Sequence, residues 1–259
     1  FEVTQPVQEL SLELFLGVVI IVTLVGICGW WLSGIAMEPI RASYQQLKQF
    51  TADVSHELRN PLAVIQTNTQ VALLQSEPKP YLEVIERLTQ RMGKLLEDLL
   101  FLARTERSIL SEKHQTCNLV EIIKEVLEEQ QLIAMTKSID FQVHGMTEPV
   151  EIMGNPDQLF RLFTNLIANG IYFTPSFGKI EIAILPATNY TQIIVKDTGR
   201  GMTDTTHIFD RYYRDQDSNG SGLGLAIVRA IVEQHRGKIK VESKVGEGTS
   251  FIVMLPNHG

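Results

Sequence analysis

Three side chains on one predicted helix have the types and spacing for phosphoryl chemistry. His56 is followed directly by Glu57, and Asn60 comes one helical turn later, before Pro61. With about 100° between successive residues, His56 lies about 180° from the apolar stripe that begins at Leu47, so its imidazole is predicted to face solvent. An exposed imidazole beside a carboxylate is a plausible acceptor with an adjacent general base. An isolated histidine on a helix surface is usually inert, so the spacing alone leaves both interpretations open.

A second group of polar side chains lies on a helix predicted over 156–172. Asn165 and Asn169 are one turn apart, and Tyr172 continues the same flanking face. Two amide oxygens at this spacing could ligate a hard cation such as Mg²⁺, which would suit a nucleotide site. They could equally be surface amides, and the spacing does not decide between the two.

Two glycine-rich segments follow. The segment DTGRG places Asp197 at the end of an apolar strand, and Gly199 and Gly201 would let a ligand approach the backbone. A carboxylate there could accept a hydrogen bond from an adenine amino group. The segment GSGLG, residues 220–224, opens a helix whose first N–H groups would favour a phosphate. DTGRG alone is weak evidence because many turns have such a sequence.

The amino-terminal part of the chain contains a predicted membrane span. Residues 14–32 include no charged side chain and would form a helix about 28 Å long, close to the thickness of a bilayer core. No Lys or Arg precedes the span, whereas Arg41 and Lys48 follow it, so the carboxyl-terminal side is predicted to be cytoplasmic. Because residue 1 is Phe rather than Met, we expect residues 1–13 to be the remnant of an extracytoplasmic region.

Two helices with apolar stripes are predicted after the span. The first runs to about residue 74, where the sequence EPKP interrupts it. The second carries apolar residues at alternating steps of four and three over 81–102, a heptad seam typical of bundles. Two antiparallel helices alone make a thin core, so residues 50–110 are predicted to form an all-α helical hairpin that dimerises into a four-helix bundle.

Beyond about residue 110 the pattern changes to mixed helices and strands. Helices are predicted over 119–135, 156–172 and 223–235, and strands over 139–143, 180–185, 192–197, 238–243 and 249–255. Strands and helices that do not alternate strictly favour an α/β two-layer sandwich, with helices on one face of a mixed sheet.

Composition argues against two other kinds of protein. The net charge of −7, with no dense stripe of Lys and Arg, argues against a nucleic-acid binder. Cys28 and Cys117 are far apart and have neither metal-ligand spacing nor the pattern of a disulfide framework. The histidines other than His56 are too scattered for a ligand cluster, and they are predicted to be surface or packing residues.

Taken together, these segments resemble the sensor histidine kinases of bacterial two-component systems. FTADVSHELRNPL, residues 50–62, is similar to their H-box, and NLIANGIYFTP, residues 165–175, is similar to their N-box. DTGRG and GSGLG resemble the G1 and G2 boxes of the GHKL (Bergerat-type) ATPases. FDRYYR, residues 209–214, resembles the F-box of the ATP lid, and the boxes occur in the family's order.

The resemblance implies a role for each residue of the H-box and N-box. His56 would accept the γ-phosphate of ATP, and Glu57 would orient or deprotonate it. Asn60 would position water to dephosphorylate a partner response regulator. Asn169, together with Asn165, would coordinate Mg²⁺.

The resemblance also implies an ATP-binding domain over residues 115–259. Arg214 would be the lid cation that reaches the terminal phosphate, with Arg211 as the second candidate. The other predicted ATP-binding residues are Asn165, Asn169, Tyr172, Asp197, Gly199, Gly201, Gly220, Gly222, Leu223 and Gly224. ATP and Mg²⁺ are implied as cofactors, a receiver-domain Asp as the final acceptor, a homodimer as the assembly, and the bacterial inner membrane as the location.

Three features depart from the family pattern. Members commonly carry Lys where Tyr172 stands, and the segment between Gly201 and Phe209 is shorter than usual. The sequence MEPI, residues 37–40, resembles the opening of a HAMP linker, but His56 follows too soon for a two-helix HAMP domain. Residues 33–49 are therefore predicted to link the span almost directly to the His56 helix.

Alternative functions remain open at this point. The substitution at Tyr172 and the short lid favour a weak or phosphatase-biased kinase. The same ATPase fold also occurs in ATP-hydrolysing machines related to gyrase and Hsp90, although a H-box in a heptad hairpin argues against them. A non-catalytic membrane scaffold is the third alternative.

Overall fold

The computed structural model describes residues 4–75, 77–105, 114–214 and 221–257. In the first helix, the side chains of residues 4–13, 35–36, 39–53 and 56 lie outside this description. The chain forms two compact units, Phe1–Ile85 and Glu86–Gly259.

One long helix, α1 (Thr4–Leu74), makes up most of the first unit. Its segment Leu14–Gly34 has a mean hydropathy of 2.4 and is not buried. Among the described residues, it is the one segment that is long and apolar enough to cross a membrane. His56 belongs to the same continuous helix, as predicted from the lack of room for a HAMP domain.

The second helix, α2 (Lys79–Thr105), begins within the EPKP sequence, and α1 ends before that sequence, as predicted. Its residues from Glu86 onward belong to the second unit. Leu95, Leu99 and Leu102, at the end of the predicted seam, are buried together with Asp98. An aspartate in this apolar row is unusual, because a buried carboxylate needs a partner.

The rest of the second unit combines helices and strands. The helices are α3 (Leu119–Thr136), α4 (Pro156–Phe173) and α5 (Gly224–Gln234). The strands are β1 (Gln115–Asn118), β2 (Asp140–His144), β3 (Glu151–Gly154), β4 (Lys179–Pro186), β5 (Tyr190–Asp197), β6 (Lys238–Lys244) and β7 (Gly248–Pro256).

A five-stranded sheet in the order β2-β4-β5-β7-β6 supports the helices. The β2–β4 pair is parallel and the other neighbouring pairs are antiparallel, so the sheet is mixed. Alternate residues of the central strands are buried, for example Ile180, Ile182 and Ile184 of β4. In α4, Leu159, Leu162, Phe163 and Leu166 are completely buried. This arrangement confirms the predicted α/β two-layer sandwich.

Two short strands, β1 and β3, were not predicted from the sequence. β1 pairs antiparallel with β3 in a separate two-stranded sheet, with Cys117 opposite Ile152. Each strand has only four residues, and their sequences, QTCN and EIMG, are too short to show a clear alternation. The Cys117 thiol donates a hydrogen bond to the carbonyl of Gly154 at 3.3 Å, and burial raises its pKa.

Candidate active site

The second unit contains a cleft of about 570 Å³, lined by α4, the segment after β5, the start of α5 and one face of α2. Eight of the predicted site residues line it: Asn165, Asn169, Tyr172, Asp197, Gly201, Arg214, Gly222 and Gly224. These residues are distant in the sequence, so the fold brings them together.

The beginning of α4 is fixed by a side-chain cap. The Asn155 side chain accepts hydrogen bonds from the N–H groups of Asp157 (3.0 Å) and Gln158 (3.2 Å). His235 Nε2 accepts a hydrogen bond from Asn155 N at 3.0 Å, and its Nδ1–H donates to the Ile231 carbonyl at 2.8 Å. The buried His235 therefore joins the start of α4 to the end of α5, which agrees with the predicted packing role.

The end of α4, which carries Tyr172, is held by a lysine from the end of α3. Lys137 Nζ donates to the carbonyls of Ile171 (2.7 Å), Tyr172 (2.8 Å) and Thr174 (3.2 Å). A cation at the carboxyl end of a helix satisfies free carbonyls and the helix dipole. With both ends fixed, α4 presents Asn165, Asn169 and Tyr172 to the cleft.

Asp197, the last residue of β5, is buried in the cleft wall. Its Oδ1 accepts hydrogen bonds from Gly199 N at 2.7 Å and Thr249 N at 3.2 Å. Burial raises the pKa of Asp197, and these two N–H donors oppose that shift. Among the described residues nothing donates to Oδ2, which leaves this oxygen for a ligand.

The glycines after Asp197 are required by close packing. A Cβ on Gly199 would lie 2.8 Å from the Phe173 carbonyl oxygen. Gly201 has a φ of +66°, and its Cβ would lie 2.0 Å from the Lys244 carbonyl oxygen. Side chains at these positions would displace the backbone that closes the cleft.

The amino terminus of α5 lies beside Asn165. A Cβ on Gly224, the first residue of α5, would lie 3.2 Å from Asn165 Oδ1. The first turn of α5 contains no acidic residue, and Leu223 at the N-cap makes no side-chain cap. Gly222 has a φ of +70°, and its carbonyl accepts a hydrogen bond from Tyr212 N at 2.9 Å. This helix start therefore offers N–H groups and a positive dipole end to an anion.

The residues of the predicted lid occupy different positions. Arg214 lines the cleft, and its Nη2 donates to the Ser221 carbonyl at 3.2 Å, whereas Arg211 is not part of the lining. Gly199 supports Asp197 without lining the cleft, and Leu223 is fully buried in the core. Gly220 lies outside the described residues.

The donor set of the cleft fits a magnesium–nucleotide complex. Asn165 and Asn169 line the same wall and supply amide oxygens, which are ligands for hard cations. In the described part of the chain, no group of three or more His, Cys, Asp or Glu side chains could hold a metal. Mg²⁺ usually relies on substrate phosphates and a few protein oxygens rather than on a complete protein cage.

The H-box lies in the first unit, on α1. Glu57 is half-buried and Asn60 is exposed. His56 directly precedes Glu57 in the same continuous helix α1. The side chain of His56 lies outside the described residues.

Two family models match the chain in the order expected from the boxes. Residues 46–108 match the His Kinase A (phospho-acceptor) domain. Residues 154–259 match the histidine kinase-, DNA gyrase B-, and HSP90-like ATPase family. The sensor histidine kinase RppB of Synechocystis sp. is 38% identical over 245 residues, which cover 90% of this chain and 54% of RppB. The chain belongs to the sensor histidine kinases.

Other comparisons agree with this family. The sensor protein kinase PmrB of Pseudomonas aeruginosa is 34% identical over 229 residues, covering 85% of this chain and 48% of PmrB. The chain thus spans about half the length of these curated relatives. The structure of the histidine kinase ThkA in complex with the response regulator protein TrrA has a TM-score of 0.68 and 25% identity, covering 84% of this chain and 64% of ThkA.

Two parts of the cleft of this histidine kinase were not predicted from the sequence. Arg200, inside the DTGRG segment, lines the cleft with its guanidinium 4.7 Å from the Phe173 ring. One face of α2 also lines the cleft, including Arg91 and Lys94. The charge of Arg200 was visible in its motif, whereas the α2 face precedes the N-box by about seventy residues and carries no motif.

Proposed function

We propose that this histidine kinase binds Mg·ATP in the cleft, transfers the γ-phosphoryl group to His56, and then passes it to an Asp of a response regulator. The observation that carries the proposal is the convergence in one cleft of the N-box amides, Asp197, Arg214 and the start of α5. The match of residues 46–108 to a phospho-acceptor domain supplies the acceptor.

Each wall of the cleft has a chemical role in this proposal. Asp197 accepts a hydrogen bond from the adenine amino group through Oδ2, because Oδ1 is already held by two backbone donors. The first turn of α5 and Arg214 neutralise phosphate oxygens. Asn169 and Asn165 would hold Mg²⁺, which would supply positive charge against the phosphates.

The transfer step needs a nucleophilic nitrogen on His56. Glu57 orients the imidazole and takes its proton, while the P–N bond forms and the bond from the γ-phosphorus to the bridging oxygen of ADP breaks. ADP then leaves, and the phosphoryl group on His56 moves to the regulator's carboxylate. Asn60 aligns a water for the later hydrolysis of that acyl phosphate.

The assembly is part of the proposal. Residues 14–34 anchor the chain in the bacterial inner membrane, with the second unit on the cytoplasmic side, because Lys and Arg follow the span and none precedes it. Residues 50–110 form the dimerisation hairpin, and the match of residues 46–108 to the His Kinase A domain supports this part of the proposal. A second chain would cover the parts of the α2 seam, such as Leu88 and Met92, that a single chain leaves partly exposed.

A weak or phosphatase-biased kinase is the second candidate, because Tyr172 lines the cleft at the N-box position where the resemblance implies a Lys. The test is to incubate the full chain in lipid nanodiscs with labelled ATP and Mg²⁺. The proposal predicts an acid-labile, alkali-stable label that a receiver domain removes. A chain that dephosphorylates the labelled regulator yet takes up no label from ATP would favour the second candidate. A chain that does neither would contradict both.

A further inference from the structure

The face of α2 that lines the cleft is rich in positive charge. Arg87, Arg91, Lys94 and Asp98 recur at steps of four, three and four, which places them on one side of the helix. All four line the cleft, and the three basic residues are exposed to it rather than buried in the core.

A buried ion pair fixes this part of α2 to the ATPase domain. Asp98 Oδ1 accepts a hydrogen bond from Arg161 Nη2 of α4 at 2.5 Å, and the two side chains are only 7% and 29% exposed. The Arg161 guanidinium also lies 4.4 Å from the Phe101 ring of α2. Ser221 Oγ, just before the start of α5, donates to Asp98 Oδ2 at 3.5 Å.

The Asp98–Arg161 ion pair, called the anchor below, determines which residues of α2 line the cleft. Asp98 joins α2, α4 and the residue that precedes the Gly222 turn. Lys94 and Arg91 lie one and two helical turns before Asp98, so their positions above the cleft follow from the pair. A buried carboxylate that keeps an arginine partner is costly to separate, because an unpaired charge would remain.

Among the described residues that line the cleft, basic side chains outnumber acidic ones. The basic residues are Arg87, Arg91, Lys94, Arg200 and Arg214, and the acidic residues are Asp98 and Asp197. Asp98 is neutralised by Arg161, and Asp197 lies at the buried end. A wall with this many basic side chains suits a polyphosphate, and α2 supplies three of these five residues. Tyr172, by contrast, contributes no charge to the same lining.

We propose that Arg91 and Lys94 of α2 bind the phosphates of the nucleotide in the cleft and that the Asp98–Arg161 pair positions them. The proposal rests on the proposed function, because it requires ATP in the cleft. Arg91 and Lys94 then supply the cationic contacts that Tyr172 lacks. Asp98 and Arg161 are positioning residues, since they act through α2.

The first experiment measures the binding of ATP and adenosine to the full chain in nanodiscs by calorimetry. Arg91→Gln/Lys94→Gln should weaken ATP binding about tenfold, because charge-assisted hydrogen bonds to phosphate are lost. Adenosine binding should stay within about twofold, because adenosine has no phosphate. Lys79→Gln/Arg104→Gln is the matched control, since it removes the same charge from α2 at positions that do not line the cleft.

The outcomes separate the inference from the proposed function. A wild-type chain that binds ATP, with unchanged or tighter ATP binding in the double variant, would overturn the inference alone. An equal loss of ATP and adenosine would also overturn it, because the effect would then be structural. A wild-type chain that binds neither ligand would overturn both the proposed function and the inference.

The second experiment tests the anchor. Asp98→Asn keeps the shape of the side chain but removes the charge, and should weaken ATP binding by a similar factor. Combined with Arg91→Gln/Lys94→Gln, it should cause little further loss, because coupled residues are not additive. Arg161→Gln breaks the same pair from the other side, in case Asp98→Asn does not fold. Wild-type ATP affinity in either folded variant would contradict the positioning role.

Discussion

The H-box and the cleft use similar polar side chains, but the chain positions them in different ways. His56, Glu57 and Asn60 are close because they follow one another along α1. The cleft combines residues from Arg87 to Thr249 on separate helices, strands and connecting segments. The first set depends on local geometry, and the second depends on the complete fold of the second unit.

This difference has a consequence for mutations. A side-chain change in the H-box should remove the proposed chemistry and leave the packing of the second unit intact. A change in the cleft often alters packing as well, since Asp197 is buried and Gly199 and Gly201 have no room for a side chain. Stability and function should therefore be coupled in the cleft and separate in the H-box.

The largest expected effect in the cleft is that of Asn169→Asp. A carboxylate differs from an amide in charge and donor capacity, so the balance between Mg²⁺ and phosphate would be changed. We expect Mg·ATP binding to weaken and phosphorylation to be abolished. Asn189→Asp is the control, because Asn189 is exposed and does not line the cleft. Unchanged ATP affinity with and without Mg²⁺ would remove Asn169 from the site.

Asp197→Asn should change stability and nucleotide binding together, but in opposite directions. Nucleotide affinity should fall about a hundredfold, since the amide that replaces Oδ2 would place a donor against the adenine amino group. The free energy of unfolding should increase at neutral pH, because the charge that is costly to bury is removed.

The pH dependence has a definite sign. Burial raises the pKa of Asp197, so the folded chain binds this proton more tightly than the unfolded chain. The protonated Asp197 carboxyl therefore contributes stability at low pH. This contribution is lost as the pH rises from the pKa in the unfolded chain to the higher pKa in the folded chain. Urea unfolding should show that Asp197→Asn has a higher free energy of unfolding than wild type at neutral pH. This difference should become smaller at acidic pH. A variant that is less stable at neutral pH would contradict this account.

Asn60→Ala should have a smaller effect, which is limited to the dephosphorylation of the response regulator. Autophosphorylation should continue, because the amide does not accept the phosphoryl group. Dephosphorylation of the regulator should slow about tenfold, since the attacking water is no longer aligned. The lifetime of the phosphorylated receiver domain, mixed with wild type or variant, measures this effect. Equal lifetimes would exclude the role of Asn60.

The smallest expected effect is a gain in rate from Tyr172→Lys. Phosphoryl transfer depends on cations around the transferring group, and a charged donor is stronger than a neutral one. The initial rate of autophosphorylation at saturating ATP should rise about threefold. Tyr190→Lys is the matched control, since Tyr190 is 45% exposed, against 44% for Tyr172, and does not line the cleft. A stable variant with an unchanged rate would show that the site is complete without a lysine.

Much of the fold could be predicted because its patterns are local. The stripe of Leu159, Leu162 and Leu166 defines α4, and the alternating isoleucines of β4 define a strand with one buried face. β1 and β3 were missed because each strand forms only by pairing with the other, about 35 residues away in the sequence. Neither strand shows an alternating pattern by itself.

The site was predictable to the extent that it is contained in motifs. Asn165, Asn169 and Asp197 follow from the boxes, and the structure places them along one cleft. The α2 wall could not be predicted, because Arg91 and Lys94 look like solvated residues on the outer face of a heptad helix. The one signal in the sequence was Asp98, an acidic residue directly beside the seam residue Leu99, because a carboxylate that becomes buried requires a partner such as Arg161.

The central claim is that the acceptor and the nucleotide site are separate, and His56→Gln tests it most directly. The wild-type chain, His56→Gln and the control His144→Gln would be compared for label from ATP and for ATP affinity. The control alters an exposed histidine on β2. We predict that His56→Gln takes up no acid-labile label and binds ATP within about twofold of wild type. Retained label in His56→Gln, or a large loss of its ATP affinity, would contradict the account.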